Sequence, residues 1–369
     1  MDKSKNLNIF SIPRNIIELE PYKPGRTIEE IKREYGLNKV IKLASNENPL
    51  GVSPLAIQAM FASINQINRY PDITSSLLCA KLSEVFNISI DNIITAHGSE
   101  AIIQVIMRTF LLETDEVITA SGTFVGFYVI AQARGVRMKL VPLKDYRFDL
   151  NAIANAITEK TKLIYLVNPN SPTGNYFTKT EFGEFLKLVP ENVLIILDEA
   201  YFEFVKERDD FPDSLNYSHN NIITLRTFSK AYGLAGMRIG YGFANPEFIK
   251  LMMKVKLPFE PGIPQQAAGV AALSDKQFLD YYLEMNRTGR EYFYDCYNKL
   301  GIEYIKSDTN FVMSIFDSED RVINITEKLL RKGIIVRPLK AFRLPHCIRV
   351  TVGLPEENEI YCKALQNVL

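Results

Sequence analysis

Histidine and cysteine are both scarce in this chain. Three histidines in 369 residues lie far apart, which speaks against a histidine-rich site, and no metal is expected. The four cysteines, Cys79, Cys296, Cys347 and Cys362, are widely scattered. They show neither metal-ligand spacing nor a disulfide framework, and a reducing cytoplasm is the compartment this predicts. An excess of one charge is also missing. With 43 basic and 43 acidic residues, nothing points to nucleic acid or an anionic membrane as partner. No apolar run is long enough to cross a bilayer. No apolar core follows Met1-Asp2-Lys3-Ser4-Lys5, so no signal peptide is expected. There is no internal repeat and no low-complexity tract. What is present is a chain 47% hydrophobic, ample for a large core. Its length suggests one large domain and a smaller one.

One stretch organises the rest: Thr227-Phe228-Ser229-Lys230-Ala231-Tyr232-Gly233-Leu234-Ala235-Gly236-Met237-Arg238. It follows an apolar run, Asn221 to Leu225, that reads as a buried strand. A lysine in a walled pocket can lose its proton and attack a carbonyl. Hydroxyls and an arginine beside it can hold a phosphate. A ligand with both a carbonyl and a phosphate fits this description, and pyridoxal 5'-phosphate (PLP) is such a ligand. The plain alternative is that Lys230 and Arg238 are surface charges on a polar loop.

Strands and helices alternate from about residue 90 to 245. Ile93 to Thr95 runs into Ala96-His97-Gly98-Ser99-Glu100 and a helix with apolar Ile102, Ile103, Ile106, Met107 and Phe110. Free N–H groups at such a helix start suit an anion. Val117 to Thr119 precedes Thr123, Phe124 and Tyr128, where an aromatic ring could lie on a planar ligand or simply pack in the core. Arg137 to Val141 is a strand, and Phe148 to Ile157 reads as a helix. Lys162 to Val167 is a buried strand ending in Asn168-Pro169-Asn170-Ser171-Pro172-Thr173-Gly174, a loop fixed by its turn residues. After a helix from Glu181 to Leu188, Val193 to Leu197 is a buried strand ending at Asp198-Glu199-Ala200-Tyr201. A carboxylate at the rim of a core needs a partner, and a pyridinium nitrogen is one. An N-cap for the next segment is the alternative. Arg238 to Phe243 closes the block as a strand. Because the polar residues all follow strand ends, the pattern is that of an open, mostly parallel sheet with its ligand outside the strand termini.

Outside this block, Thr27 and Glu30 form a capping box for a helix to about Tyr35. Ser53-Pro54 opens another helix ending near Asn65. Tyr70, beside Pro71, sits in a loop. A helix from Phe248 to Lys256 is broken by Leu257-Pro258-Phe259-Glu260-Pro261-Gly262, and a long helix runs from Lys276 to Leu300. Short strands at Asn310–Ile315, Ile334–Arg337 and Cys347–Val352, with a helix at Ile323–Arg331, predict a smaller α+β domain. Arg337 and Arg349 each follow apolar strand residues. Two such guanidinium groups facing one cleft would take a carboxylate or phosphate; singly, each suits a structural salt bridge.

Taken together these marks resemble the fold-type I, class I/II PLP-dependent aminotransferases, and within them the histidinol-phosphate aminotransferase family. The resemblance covers nearly the whole chain. It rests on Tyr22-x-Pro24-Gly25, the run Lys42 to Pro49, Asn68-Arg69-Tyr70-Pro71, Pro172-Thr173-Gly174, Asp198-Glu199-Ala200-Tyr201, and Phe228-Ser229-Lys230 with Gly236-x-Arg238. It implies an α/β fold with a large PLP-binding domain at 45–258. A small domain with an N-terminal arm would take 1–44 and 259–369. It implies that Lys230 bonds the cofactor and later moves the proton, that Asp198 holds the ring nitrogen, and that Tyr201 holds the ring oxygen. Thr227, Ser229 and Arg238, with the backbone at Ser99 and Glu100, would bind the cofactor's phosphate, and Phe124 would lie on the ring. Tyr70 would reach the neighbouring subunit's cofactor, which implies a homodimer. Tyr22, Asn46, Arg337 and Arg349 would meet the substrate.

Three departures stand out. Ser171 replaces the asparagine usual before Pro-Thr-Gly, so either Ser171 or Asn170 must contact the ring oxygen. Ser121-Gly122 lacks an expected proline. Phe259-Glu260-Pro261 lacks the usual asparagine, so Glu260 would bring a negative charge near the substrate. The primary expectation is amino transfer between histidinol phosphate and 2-oxoglutarate. The rivals are decarboxylation of a phosphorylated amino acid, transamination of another small phosphorylated amine or of aromatic amino acids, and a non-catalytic binding module.

Overall fold

The structure, a computed structural model, describes residues 11–21, 25–217 and 219–369. The expected substrate residue Tyr22 lies outside them. Strand β1 (Ile41–Lys42) is a two-residue element that pairs in parallel with a strand near the far end of the chain. The large sheet contains β2 (Ile93–Ala96), β3 (Glu116–Ser121), β4 (Arg137–Pro142), β5 (Thr161–Val167), β6 (Leu194–Asp198), β7 (Ile222–Thr227) and β8 (Gly240–Phe243). Their spatial order is β2-β8-β7-β6-β5-β3-β4. The five strands from β4 to β7 are mutually parallel, whereas β8 runs antiparallel to both β2 and β7. The mostly parallel sheet is thus as expected, and one reversed strand is its exception.

The central strands β5 and β6 are almost continuously apolar because helices cover both faces of the sheet. Helices Ser99–Phe110, Val125–Arg134 and Lys179–Leu188 supply Ile102, Ile106, Phe127, Phe182 and Phe185 to the same core as Leu163, Ile164, Ile195 and Ile196. On the other side Phe228, Tyr241 and Phe243 pack with Leu78, Ala268 and Ala272.

The smaller sheet has the order β12-β13-β10-β9, with β9 (Glu303–Ile305), β10 (Phe311–Ile315), β12 (Arg337–Pro338) and β13 (Cys347–Thr351) all antiparallel. Strand β11 (Ile334–Ile335) leaves this sheet to pair with β1. The single strand expected at Ile334–Arg337 is therefore two short ones serving different sheets. The long helix Lys276–Leu300 has the predicted bounds, started by the Asp275 side chain and stopped by Gly301 at φ +66°.

Local sequence signals place element starts where capping chemistry is explicit. Thr27 and Glu30 make the reciprocal capping box of Ile28–Tyr35. Pro54 opens Pro54–Ser63, with the Ser53 hydroxyl accepting from Ala56 N. The helix expected at Phe148–Ile157 is shorter, Leu150–Asn155, because Asp149 is its N-cap. The strand expected from Arg238 starts only at Gly240, since Arg238 itself stands at φ +52°. The helix Ser76–Phe86 is an addition to the elements expected; its Ser75 N-cap sits at φ +51° without a side-chain cap. Among the described residues no helix is long and apolar enough to cross a membrane, and no cluster of metal-ligating side chains occurs.

Candidate active site

A cavity of about 370 Å³ opens at the carboxyl ends of β5, β6 and β7. Asp198, the last residue of β6, lies at its inner wall and is 4% exposed. The Tyr165 hydroxyl donates to Asp198 Oδ2 at 2.7 Å, and the Ala200 N–H donates to Oδ1 at 3.1 Å. Burial pushes this carboxyl up to about 6, against the opposing pull of those two hydrogen bonds and of the Lys230 charge. Lys230 also lines the cavity, its Nζ donating to the Ser45 carbonyl at 3.4 Å. Tyr201 is buried, and its hydroxyl accepts from Asn46 Nδ2 at 2.7 Å. The Tyr201 proton is therefore left to point elsewhere. Asn46 is itself held, at φ +56°, by Thr351: its N–H donates to Thr351 Oγ1 at 3.0 Å, and that hydroxyl donates back to Asn46 Oδ1 at 3.1 Å.

One wall is shaped for an anion. The helix Ser99–Phe110 begins after Gly98 at φ +87°. A Cβ on Gly98 would come within 2.8 Å of Arg238 Nη2. Gly240, opposite Ala96 in the β2–β8 pair, would drive a Cβ onto the Ser99 nitrogen. These two glycines let the helix start, the Arg238 side chain and the turn after β7 converge. Thr227 and Ser229 complete the wall, with the Thr227 hydroxyl accepting from Ser229 N at 3.1 Å. The Glu100 carboxylate stands 4.0 Å from Arg238 Nη2. Phe124 lies across Gly126, where any Cβ would come within 2.5 Å of its ring.

Arg337 and Arg349 also line the cavity. Arg349 is 6% exposed. Its Nη1 donates to Ser171 Oγ at 3.2 Å and its Nη2 to the Ala44 carbonyl at 2.9 Å. The Phe342 ring is close to both guanidinium groups, its centroid 5.7 Å from Arg337 and 5.5 Å from Arg349.

The alternatives left by Ser171 and Asn170 separate clearly. Ser171 lines the cavity. Asn170 does not: its amide donates to the Gly122 carbonyl and the Thr173 hydroxyl and accepts from Thr123 Oγ1, all within 3.1 Å. Tyr128 is likewise structural, its hydroxyl tied to Gly122 N, Thr123 N and the Ala120 carbonyl. Tyr70 and Glu260 are not in the cavity of their own chain. Tyr70 is 78% exposed and stacks on Phe259, with ring centroids 4.1 Å apart. Sequence reasoning missed Tyr165, Ser45, Thr351 and Phe342. Tyr165 had a signal: a hydroxyl inside an otherwise apolar strand must find a partner.

The residues present fit PLP. A buried carboxylate faces the cavity beside a lysine, a two-glycine cradle of N–H groups and an arginine is shaped for a phosphate, and a flat aromatic ring forms one side.

A profile of the class I and II aminotransferases matches residues 38–365. The histidinol-phosphate aminotransferase of Moorella thermoacetica is 39% identical over all of this chain and 96% of its own length. Histidinol-phosphate aminotransferase 2 of Carboxydothermus hydrogenoformans is 40% identical over 95% of this chain and 97% of its own. The crystal structure of the histidinol-phosphate aminotransferase from Sinorhizobium meliloti in complex with pyridoxal 5'-phosphate superposes with a TM-score of 0.88, at 27% identity and 97% coverage of each chain. The Thermus thermophilus aspartate aminotransferase, at 21% identity and a TM-score of 0.84, shares the fold. With this profile match and these full-length relatives, the chain belongs to the class I and II aminotransferases and, within them, to the histidinol-phosphate aminotransferase family.

Proposed function

We propose that the chain uses PLP to move the amino group of histidinol phosphate to 2-oxoglutarate. The observation that supports this is the cavity's lining: the anion cradle at Ser99, Ser229 and Arg238, the Arg337–Arg349 pair, Lys230 and Asp198 all face one cavity. One phosphate belongs to the cofactor and the second to the substrate.

PLP, when bound, supplies a carbonyl carbon that takes the amine and a ring that stores the electron pair of the broken C–H bond. The chain's own residues do the rest. Asp198 accepts the ring N–H and, held by Tyr165, keeps that nitrogen protonated. Tyr201, whose oxygen is already occupied by the Asn46 amide, donates its hydrogen to the ring oxygen. Ser171 is the second candidate donor there. Its oxygen accepts from Arg349, which leaves its own hydrogen for an acceptor in the cavity. Thr227, Ser229, Arg238 and the N–H groups of Ser99 and Glu100 hold the cofactor phosphate. Phe124 covers the ring. Lys230 Nζ, freed when the substrate amine takes its place on the carbonyl carbon, would take the substrate's α-proton and deliver it to that carbon, across the nitrogen the two carbons share. Arg337 and Arg349 bind the substrate phosphate for the amine and the carboxylates of the keto acid in the second half-reaction.

The same reading includes a large domain over 45–258, onto which helix Ile263–Ser274 also packs through Ala268 and Ala272. A smaller domain is built from 1–44 and the rest of 259–369. It includes a homodimer in which Tyr70 serves the partner's site. Phe61, Ile67, Tyr70 and Leu77 are each at least 60% exposed in the single chain, an apolar surface that a second copy would cover. A cytoplasmic location accords with four free cysteines.

The test is a single-turnover absorbance scan of cofactor-loaded protein mixed with histidinol phosphate and no keto acid. Loss of the bound cofactor's visible band supports the assignment. An unmoved band rejects histidinol phosphate as donor, and carbon dioxide release from a phosphorylated amino acid would then identify a decarboxylase.

A further inference from the structure

We infer that Lys256 and Gln266 are positioning residues that aim Tyr70 into the partner subunit's cofactor site. The inference rests on the homodimer reading above. Tyr70 and Phe259 form a stacked pair at the surface, although their loops are far apart in sequence. Phe259 is 40% exposed and stands at φ +62°, a costly backbone conformation for a bulky side chain. An exposed, strained aromatic pair needs something beneath it to fix it.

Two side chains do so in the same manner. Lys256 Nζ donates to the Ile73 carbonyl at 3.3 Å and to the Glu260 carbonyl at 2.5 Å. Gln266 Nε2 donates to the Asp72 carbonyl at 3.2 Å and to the Pro261 carbonyl at 2.8 Å. Each side chain thus takes one carbonyl from the Tyr70 loop and one from the Phe259 loop. Lys256 is 7% exposed, and burial lowers its pKa, with the Glu260 charge acting in opposition. A buried ammonium group is costly unless its donors are used, and here the donors join two loops. The Tyr70 loop is fixed at its other end as well. Asp72 accepts from Ser76 N at 2.7 Å and Thr74 N at 3.0 Å, which holds its carboxyl well below the usual range. Neither Lys256 nor Gln266 lines the cavity of its own chain. Their effect on the reaction must pass through the loop they hold.

Hybrid dimers carrying two different affinity tags isolate one working site. One chain carries Lys230→Ala, so the visible band of bound cofactor comes only from the other chain's lysine. Cofactor affinity at that site is read by absorbance titration. The control is Tyr70→Ala, which weakens affinity only when it sits on the Lys230→Ala chain, the chain that lends its loop. A control with no such asymmetry overturns the dimer reading, and the inference falls with it. With the asymmetry in place, Lys256→Met on the loop-lending chain is expected to raise the cofactor Kd about tenfold, the size of a lost hydrogen bond to a charged group. Moving the substitution to the lysine-bearing chain abolishes the rise. A purely structural role moves both arrangements alike, and that result, or no change in either, overturns the positioning role while the dimer reading stands. Should Lys256→Met not fold, Gln266→Met is measured in the same two arrangements, with the same outcomes supporting or overturning the role.

Discussion

Tyr165 donates its hydroxyl hydrogen to Asp198 from the neighbouring strand, two registers before the carboxylate. Tyr165 pairs with Ile196, and Ile196 and Asp198 project from the same face of β6, so the two side chains meet by strand geometry alone. Its ring is held flat against Phe127 at 4.0 Å. Because the hydroxyl stabilises the ionised carboxylate, Tyr165→Phe should raise Asp198 further above its value of about 6. The pH below which cofactor affinity falls should move up by about one unit, the scale of one hydrogen bond to a charge. A titration with an unmoved acid limb would show that the pair does not set this ionisation.

Asp198 also makes a prediction for the cofactor-free protein. Its folded value of about 6 lies above the ordinary 3.8. Between these values the folded chain keeps a proton that the unfolded chain has released. Stability from this group is therefore present below pH 4 and lost as pH rises to 6. A shift of that size is worth about 3 kcal/mol. Asp198→Asn should remove this loss, so its stability relative to the wild type should climb across that window in denaturant melts. Buried Glu203, pushed up to about 7, acts in the same direction in both proteins.

Lys230→Ala should abolish turnover while leaving the circular dichroism spectrum unchanged. Residual turnover above about one part in a thousand would mean that another group moves the α-proton.

Arg349→Gln keeps a donor near Ser171 and Ala44 but removes the charge. The KM for a phosphorylated amine should rise ten- to a hundredfold with a smaller change in kcat, as for loss of a charge-assisted pair. Steady-state kinetics with an unaltered KM would make Arg349 a scaffold for Ser171 alone.

Gly240→Ala would drive a methyl group into the Ser99 nitrogen. Because the obstacle is backbone, the helix start must shift. We expect more than tenfold weaker cofactor binding and about 1–3 kcal/mol lost stability, measured by absorbance titration and by melting.

The order of elements was legible because the alternation of buried strand and amphipathic helix is written in period and composition. The Thr27–Glu30 capping box and Pro54 fixed two helix starts to the residue, whereas the helices beginning at Lys179 and Pro246 start two residues earlier than expected. That Lys230, the Asp198–Tyr201 segment and the arginines meet in one cavity was legible because chemistry-bearing residues followed apolar strand ends. The reversal of β8 was not, because a buried strand reads the same in either direction. Helix Ser76–Phe86 was hidden because its N-cap Ser75 makes no side-chain bond and the carboxylate that accepts from Ser76 N, that of Asp72, lies four residues upstream. Ser171 and Asn170 are neighbours of similar polarity, and only the folded loop turns one inward and ties the other down. Glu260, expected near the substrate, lies outside the cavity of its own chain, a placement that one chain's spacing does not reveal, while Tyr70, expected at a neighbouring subunit, is outside its own cavity as well.

The hold of Thr351 on Asn46 and of Arg349 on the Ala44 carbonyl each spans 305 residues. During synthesis, a nascent chain of about 300 residues already contains the lysine, Asp198 and the anion cradle. It still lacks the segment that fixes Asn46 against Tyr201, and the Arg349 guanidinium that grips the Ala44 carbonyl. The cavity's floor is therefore synthesised well before the clasp that closes its N-terminal edge, and the clasp is a contact of high sequence separation that forms late.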